Sequence, residues 1–160
     1  KVGLKVLYTD FTNENNIKKI SNFEPTLIWL ESPTNPLLKV LDIKAICDEA
    51  NKIEIPVVVD NTFSTALIQK PLDLGATLSV VSTTKFINGH SDALGGAVLT
   101  NNEVWNGKML FSQKALGLQS SPFDSWLITR GLKTLPLRIE QQTQSAEFIS
   151  EELELYLIHI

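Results

Sequence analysis

Three short apolar runs each lead into polar groups that could do chemistry. "TLIWL" (residues 26–30) is followed by "ESPTNP", with Glu31 and Asn35; "PVVVD" ends on Asp60, with Asn61 and Thr62 next; "LSVV" runs into "STTK", with Ser82, Thr84 and Lys85. Each has an ordinary reading: a lysine leaving a strand is commonly a solvated charge, Asp-Asn commonly makes a turn, and an asparagine between prolines is common in loops. Each also has a sharper one. A carboxylate directly after a buried strand is partly desolvated and favours a cationic partner. Hydroxyls such as those of Ser82 and Thr84 can donate to a phosphate, and a partly desolvated amine becomes nucleophilic toward an aldehyde.

The elements that must position these groups follow from periodicity. "PVVV" is a continuous β-branched run, as expected of a strand buried on both faces. "DIKAICDEANKI" places Ile43, Ile46, Cys47, Ala50 and Ile53 at helical spacing, with Asp42 as N-cap. A short helix is expected through "PLDLGA" and a further strand at "GGAVLT". Strands alternating with helices in this way predict an α/β layer with a largely parallel sheet. The second half reads as helical: "VWNGKMLFSQKAL" despite Gly107, then "SSPFDSWLITRGL" with Ser121 as cap, Pro122 at the first helical position and Gly131 ending or loosening the helix. Residues 135–153 carry Ile139, Ala146, Ile149 and Leu153 on one stripe. The tail "ELELYLIHI" alternates like a strand with nothing after it to pair with. With Lys1 rather than a methionine at the start, the chain reads as a fragment.

Composition narrows the function classes. The chain has 160 residues, 43% hydrophobic and 20% charged, with a formal net charge of −4. With no basic block, nucleic acid is not an expected partner, because phosphate neutralisation needs clustered Lys and Arg. No apolar run is long enough to span a bilayer, and no membrane association or secretory signal is read. The single Cys47 excludes an internal disulfide framework and fits a reducing cytoplasm. It reads as a small buried hydrophobe rather than a nucleophile. His90 and Asp92 in "GHSD" invite a metal, but two ligands on one loop do not make a site, and His159 lies in the tail. No metal is expected, and His90 reads as a structural hydrogen-bonding group. "GHSDALGG" lacks the spacing of a dinucleotide fingerprint, so its glycines read as permitting close backbone packing.

If the strands are neighbours, one crevice beyond their carboxyl ends receives an amide, a carboxylate, hydroxyls and an amine. That set meets the needs of pyridoxal phosphate, an electron sink when a carboxylate keeps its ring nitrogen protonated. "ESPTNP", "VVVDNTF", "STTKFINGHSDALGG" and "RGLKTLPLRIE", in this order, resemble the Cys/Met-metabolism family of pyridoxal-phosphate enzymes. That family contains cystathionine γ-synthase, γ-lyase and β-lyase, methionine γ-lyase and the homoserine-ester sulfhydrylases. The resemblance implies a three-layer α/β fold of the fold type I large-domain kind, present as a partial domain over residues 1–134. Residues 135–160 would form a helix leading toward a missing C-terminal domain.

The resemblance assigns Lys85 to the lysine that carries the cofactor and later moves protons, and Asp60 to the partner of the ring nitrogen. Asn35 matches an amide near the phenolic oxygen, Thr62 a hydroxyl close to the ring, and Ser82 and Thr84 phosphate ligands; Glu31 lies near the site. It implies a small sulfur amino-acid substrate and a homotetramer built from active dimers. Phe63 in "DNTF" and Asn88 in "INGHSD" resemble the γ-acting branches more than β-lyase, and "SPFDSWLITRGLKTL" leans toward the synthases. Neither the N-terminal phosphate loop and stacking tyrosine of the family nor its carboxylate-gripping arginine is present. The piece alone is therefore expected to bind cofactor poorly and turn over nothing. A catalytically silent interaction module is the reading from a different class.

Overall fold

The computed structural model describes residues 3–157, with the side chain of residue 157 left aside. Val57, Val58 and Val59 are at most 2% exposed, the burial on both faces that their unbroken β-branched run requires. They form β2 (Val57–Asp60), which lies between β1 (Ile28–Glu31) and β3 (Leu78–Ser82), parallel to both. A fourth strand, β4 (Gly96–Leu99), gives the sheet order β1-β2-β3-β4. The α/β class with a mostly parallel sheet is therefore the observed one. The register sets Glu31 opposite Asp60 and Asp60 opposite Val80, so that the carboxyl ends of the three parallel strands fall close together along the sheet. On β1, Ile28 and Leu30 are buried and Trp29 is exposed, which leaves one face of that strand uncovered.

The described chain divides into two compact units. One comprises the residues up to Val81 together with Ala97–Leu118, and the other comprises Ser82–Gly96 with the residues from Gln119 onward.

In the first unit the chain forms α1 (Glu14–Lys18), α2 (Ile20–Phe23), α3 (Ile43–Asn51), α4 (Thr65–Ile68) and α5 (Glu103–Leu116). Helix α3 buries Ile43, Ile46, Cys47 and Ala50, the stripe that the sequence spacing predicts, and the Asp42 carboxylate accepts the Ala45 N–H at 2.9 Å. These side chains join Ile20, Leu30 and Val59 in one hydrophobic cluster. The expected helix through "PLDLGA" is instead a tight turn. The Pro71 carbonyl accepts both Leu74 N–H (3.1 Å) and Ala76 N–H (3.0 Å), and Gly75 sits at φ +99°, a left-handed conformation that ends any helix there. Residues 65–68, in contrast, form a short helix that no sequence period announced. Helix α5 is capped by Asn102, whose side chain accepts the Trp105 N–H at 3.1 Å, and it ends on Gly117 at φ +67°.

The second unit contains α6 (Pro122–Leu132), α7 (Leu135–Leu157) and the segment Ser82–Gly96. Ser121 caps α6 as expected: its hydroxyl accepts the Asp124 N–H at 3.0 Å and donates to the Asp124 carboxylate at 2.8 Å. Gly131 does not end that helix. It is buried within the last turn, where an added Cβ would lie 2.2 Å from the Asn88 carbonyl oxygen. The strand-like tail is also corrected: residues 152–157 continue α7, and His159 lies outside the described residues. Glutamate and leucine are good helix formers and glutamate is a poor strand former, so the local backbone preference overrides a two-residue alternation that has no partner strand. Of the predicted stripe on α7, only Ile139 is buried, while Ile149 and Leu153 are exposed. Among the described residues no helix is long and apolar enough to cross a membrane.

Candidate active site

In the first unit the loop after β1 is built around Ser32, which is fully buried. Its hydroxyl accepts the Leu41 N–H at 3.0 Å, and its carbonyl accepts the Gln69 side-chain amide at 2.8 Å. Thr34 closes the loop by exchanging backbone hydrogen bonds with Lys39 and Leu38. Asn35 is carried at the exposed tip of that loop, and Glu31 is half-buried at the strand end.

Asp60 ends β2 half-buried, and its Oδ1 accepts the Thr62 N–H at 3.0 Å. Thr62 is half-buried beside it. The next residue, Asn61, is 1% exposed and wholly committed to structure. Its backbone N–H donates to the Val80 carbonyl at 2.8 Å, and its side-chain amide makes a reciprocal pair with Gln69, 2.8 Å each way. Since Gln69 also reaches Ser32, one glutamine ties the loop after β1 to the loop after β2. "DN" is thus a divided pair: the asparagine fixes the turn and the aspartate is left at the sheet end. Sequence reading assigned Gln69 nothing, because an amide eight residues downstream carries no local signal.

In the second unit Ser82 is half-buried at the last position of β3, and its carbonyl accepts the Lys85 backbone N–H at 3.3 Å. The Thr84 hydroxyl is half-buried and engaged with Gly95, accepting its N–H at 2.9 Å and donating to its carbonyl at 3.3 Å. The backbone N–H groups of Thr83 and Thr84 converge on the same Gly95 carbonyl. A Cβ at Gly95 would meet the Thr83 hydroxyl at 2.7 Å and the Ile128 side chain at 3.1 Å, so this glycine of "GHSDALGG" makes room for side chains. To donate to a phosphate, Thr84 has to release only its longer contact, to the Gly95 carbonyl.

Lys85 follows as an exposed side chain whose amine has no hydrogen-bond or ion-pair partner among the described residues. Its backbone carbonyl accepts the Gly89 N–H at 2.8 Å, and the Thr83 carbonyl accepts the Asn88 N–H at 2.9 Å, so the lysine sits inside a compact hydrogen-bonded turn. His90 Nδ1 donates to the Asn88 carbonyl at 2.6 Å, and the Asn88 side-chain amide donates to Asp92 at 2.8 Å. His90 and Asp92 therefore brace the turn. Among the described residues no group of three or more His, Cys, Asp or Glu could hold a metal ion.

The turn is held from α7 by Arg138, which sequence reading left without a role although it lies in the quoted "LKTLPLRIE". Its guanidinium donates to the carbonyls of Phe86 (2.7 Å), Ile87 (3.1 Å) and Gly131 (2.8 Å), and its Nε donates to the Thr134 hydroxyl (3.0 Å).

The donor set fits pyridoxal phosphate in kind. The first unit offers a half-buried carboxylate at a sheet end, which suits a protonated ring nitrogen, and the second offers hydroxyls and an amine with no partner among the described residues. The comparisons agree. The sequence profile described as Cys/Met metabolism PLP-dependent enzyme matches residues 1–155. The chain is 45% identical over 151 residues to cystathionine gamma-lyase of Saccharomyces cerevisiae, covering 91% of this chain and 38% of that protein. It is 40% identical over 153 residues to cystathionine beta-lyase of Coxiella burnetii, covering 95% of this chain and 40% of that protein. The crystal structure of cystathionine gamma synthase from Xanthomonas oryzae pv. oryzae in complex with aminoacrylate and cysteine superposes with a TM-score of 0.85 at 41% identity, covering 91% of this chain and 38% of that one. The chain thus spans about two-fifths of the length of the relatives it matches. With the profile match running through nearly all of its residues, the chain belongs to the Cys/Met-metabolism family of pyridoxal-phosphate-dependent enzymes.

Proposed function

We propose that the protein carrying this chain is a trans-sulfuration enzyme performing γ-replacement or γ-elimination on cystathionine or an O-acyl-homoserine. The observation that carries this reading is the strand register. Parallel β2 ends on Asp60, its neighbour β3 runs on to Ser82, and Lys85 follows three residues later, in a chain that matches the family profile throughout. The γ-acting branch is favoured over β-lyase by Phe63 and Asn88. The named relatives include a gamma-lyase, a beta-lyase and a gamma synthase, so an assay of cystathionine against an activated homoserine decides the reaction.

In this reading Lys85 would hold the cofactor's aldehyde, Asp60 would pair with its ring nitrogen, Ser82 and Thr84 would bind its phosphate, Asn35 would serve its phenolic oxygen and Thr62 the ring. Bound pyridoxal phosphate supplies a sink for the electron pair left when a proton departs from the substrate's α-carbon. The Asp60 carboxylate stabilises positive charge on the ring nitrogen and so keeps that sink open. The Lys85 amine, once released, takes the proton from the α-carbon and returns it further along the substrate, as a positioned general base and acid. We further propose that the enzyme works in a reducing cytoplasm as a homotetramer; the single cysteine, buried Cys47, and the exposed apolar side chains of α6 and α7 support this.

The test is made on the longest natural chain that contains this sequence. It is incubated with pyridoxal phosphate and reduced with borohydride. The amine and aldehyde condense with loss of water, and hydride from borohydride leaves a stable secondary amine. Peptide mapping is expected to find the adduct on Lys85, and Lys85→Ala is expected to abolish it. Asp60→Asn is expected to keep the adduct but lower turnover of cystathionine or O-acyl-homoserine by about a hundredfold or more, the scale of a lost charge partner in a buried site. A folded protein with no adduct on Lys85 overturns the reading and leaves the silent module in its place.

A further inference from the structure

We infer that Arg138 is a positioning residue for Lys85, steadying the backbone that carries the lysine by holding the carbonyls of the two residues that follow it. This rests on the proposed role of Lys85 as the cofactor lysine. The turn 83–92 satisfies its own N–H groups at Asn88 and Gly89, yet the carbonyls of Phe86 and Ile87 point to the guanidinium. A planar fork with fixed N–H directions can take both at once and still reach the Gly131 carbonyl, which a flexible ammonium cannot do. Two glycines are shaped around the contact. A Cβ on Gly89, at φ +73°, would lie 2.1 Å from Arg138 Nη1, and one on Gly131 would lie 2.2 Å from the Asn88 carbonyl oxygen. Among the described residues no carboxylate pairs with Arg138, so its bonding capacity goes into the carbonyls and the Thr134 hydroxyl. The clamped carbonyls lie one and two residues beyond Lys85, so the guanidinium restrains the backbone from which the lysine side chain departs.

The experiment follows borohydride trapping of pyridoxal phosphate on Lys85 in the longest natural chain, in wild type, Arg138→Lys and Arg138→Met. Both the maximal trapping rate and the half-saturating cofactor concentration are measured, with Lys70 adducts as the internal control. A positioning role predicts that the maximal rate at Lys85 falls about tenfold or more in Arg138→Met and less in Arg138→Lys. At a temperature where each variant is fully folded, half-saturation and Lys70 labelling should hold, and millimolar guanidinium should restore Arg138→Met. Hydrogen exchange at the Asn88 and Gly89 amides should accelerate in step. If Arg138→Met does not fold, Arg138→Lys decides, and a wild-type trapping rate in it overturns the inference. An unchanged rate in a folded Arg138→Met overturns the inference alone. Absence of a Lys85 adduct in wild type instead sinks the reading of Lys85, and the exchange rates then report the clamp by themselves: unchanged exchange in the variants overturns it.

Discussion

Cys47 lies on the inner stripe of α3, fully buried with Ile46 and Ala50, and burial pushes its thiol up from 9.0 to about 11, with the neighbouring Asp48 charge adding a smaller push. A raised thiol pKa means that the unfolded chain gives up its proton first. The stabilising difference is complete below pH 9.0 and is lost as pH rises from there to about 11, so the denaturation midpoint should fall over that window. At pH 8 the folded protein should carry on the order of a hundredfold less thiolate than an ordinary cysteine, and a disulfide reagent should label it only after denaturant is added. Helical spacing was enough to place this residue. It was not enough for Arg138 or Gln69, which each reach partners dozens of positions away in the chain, at Phe86 and Ile87 and at Ser32, and mostly bond backbone carbonyls. A carbonyl has no residue type to read. The residues legible as chemistry were those that follow strands, because a strand end is a place that periodicity can locate.

Helix α6 shows how an element can be predicted for its beginning and misjudged for its end. Ser121 and Asp124 announce the start locally, and Ser121→Ala should lower stability by about 1 kcal/mol in denaturant titration. Gly131 looks like a terminator because glycine is a poor helix residue, yet it sits inside the helix for lack of room beside Asn88. Gly131→Ala should therefore destabilise by about 1–3 kcal/mol through overpacking, despite its better helix propensity. Gly107 is the control. It lies within α5 with nothing within 4 Å of its would-be Cβ, so Gly107→Ala should stabilise by about 0.5–1 kcal/mol. Opposite signs for one substitution in two helices separate crowding from propensity. The two misread segments have other causes. "PLDLGA" fails as a helix on the backbone angle of Gly75, and the tail fails as a strand because alternation without a neighbouring strand has nothing to bond.

Across the whole molecule the apolar surface is large. Phe111, Phe123, Trp126, Phe148 and Tyr156 on α5, α6 and α7 are all more than half exposed. Exposed apolar side chains of this size, where they lie together, mark contact with other protein. The 160-residue chain should self-associate in sedimentation and bind an apolar-sensitive dye, and Ile149→Glu with Leu153→Glu should shift it toward smaller species without loss of helical signal. The chain also passes between its two units at Val81, at Gly96 and at Leu118. The segment Ser82–Gly96, which carries the lysine-bearing turn, is thus joined in sequence to first-unit residues at both ends, while in this 160-residue stretch α6 and the α7 that grips the turn follow on from Leu118. Nicking the backbone between Leu118 and Gln119 would convert that grip into a bimolecular association. The reach of Lys85 would then rise and fall with the concentration of the liberated helical peptide, making the cut a natural place for a two-piece reporter.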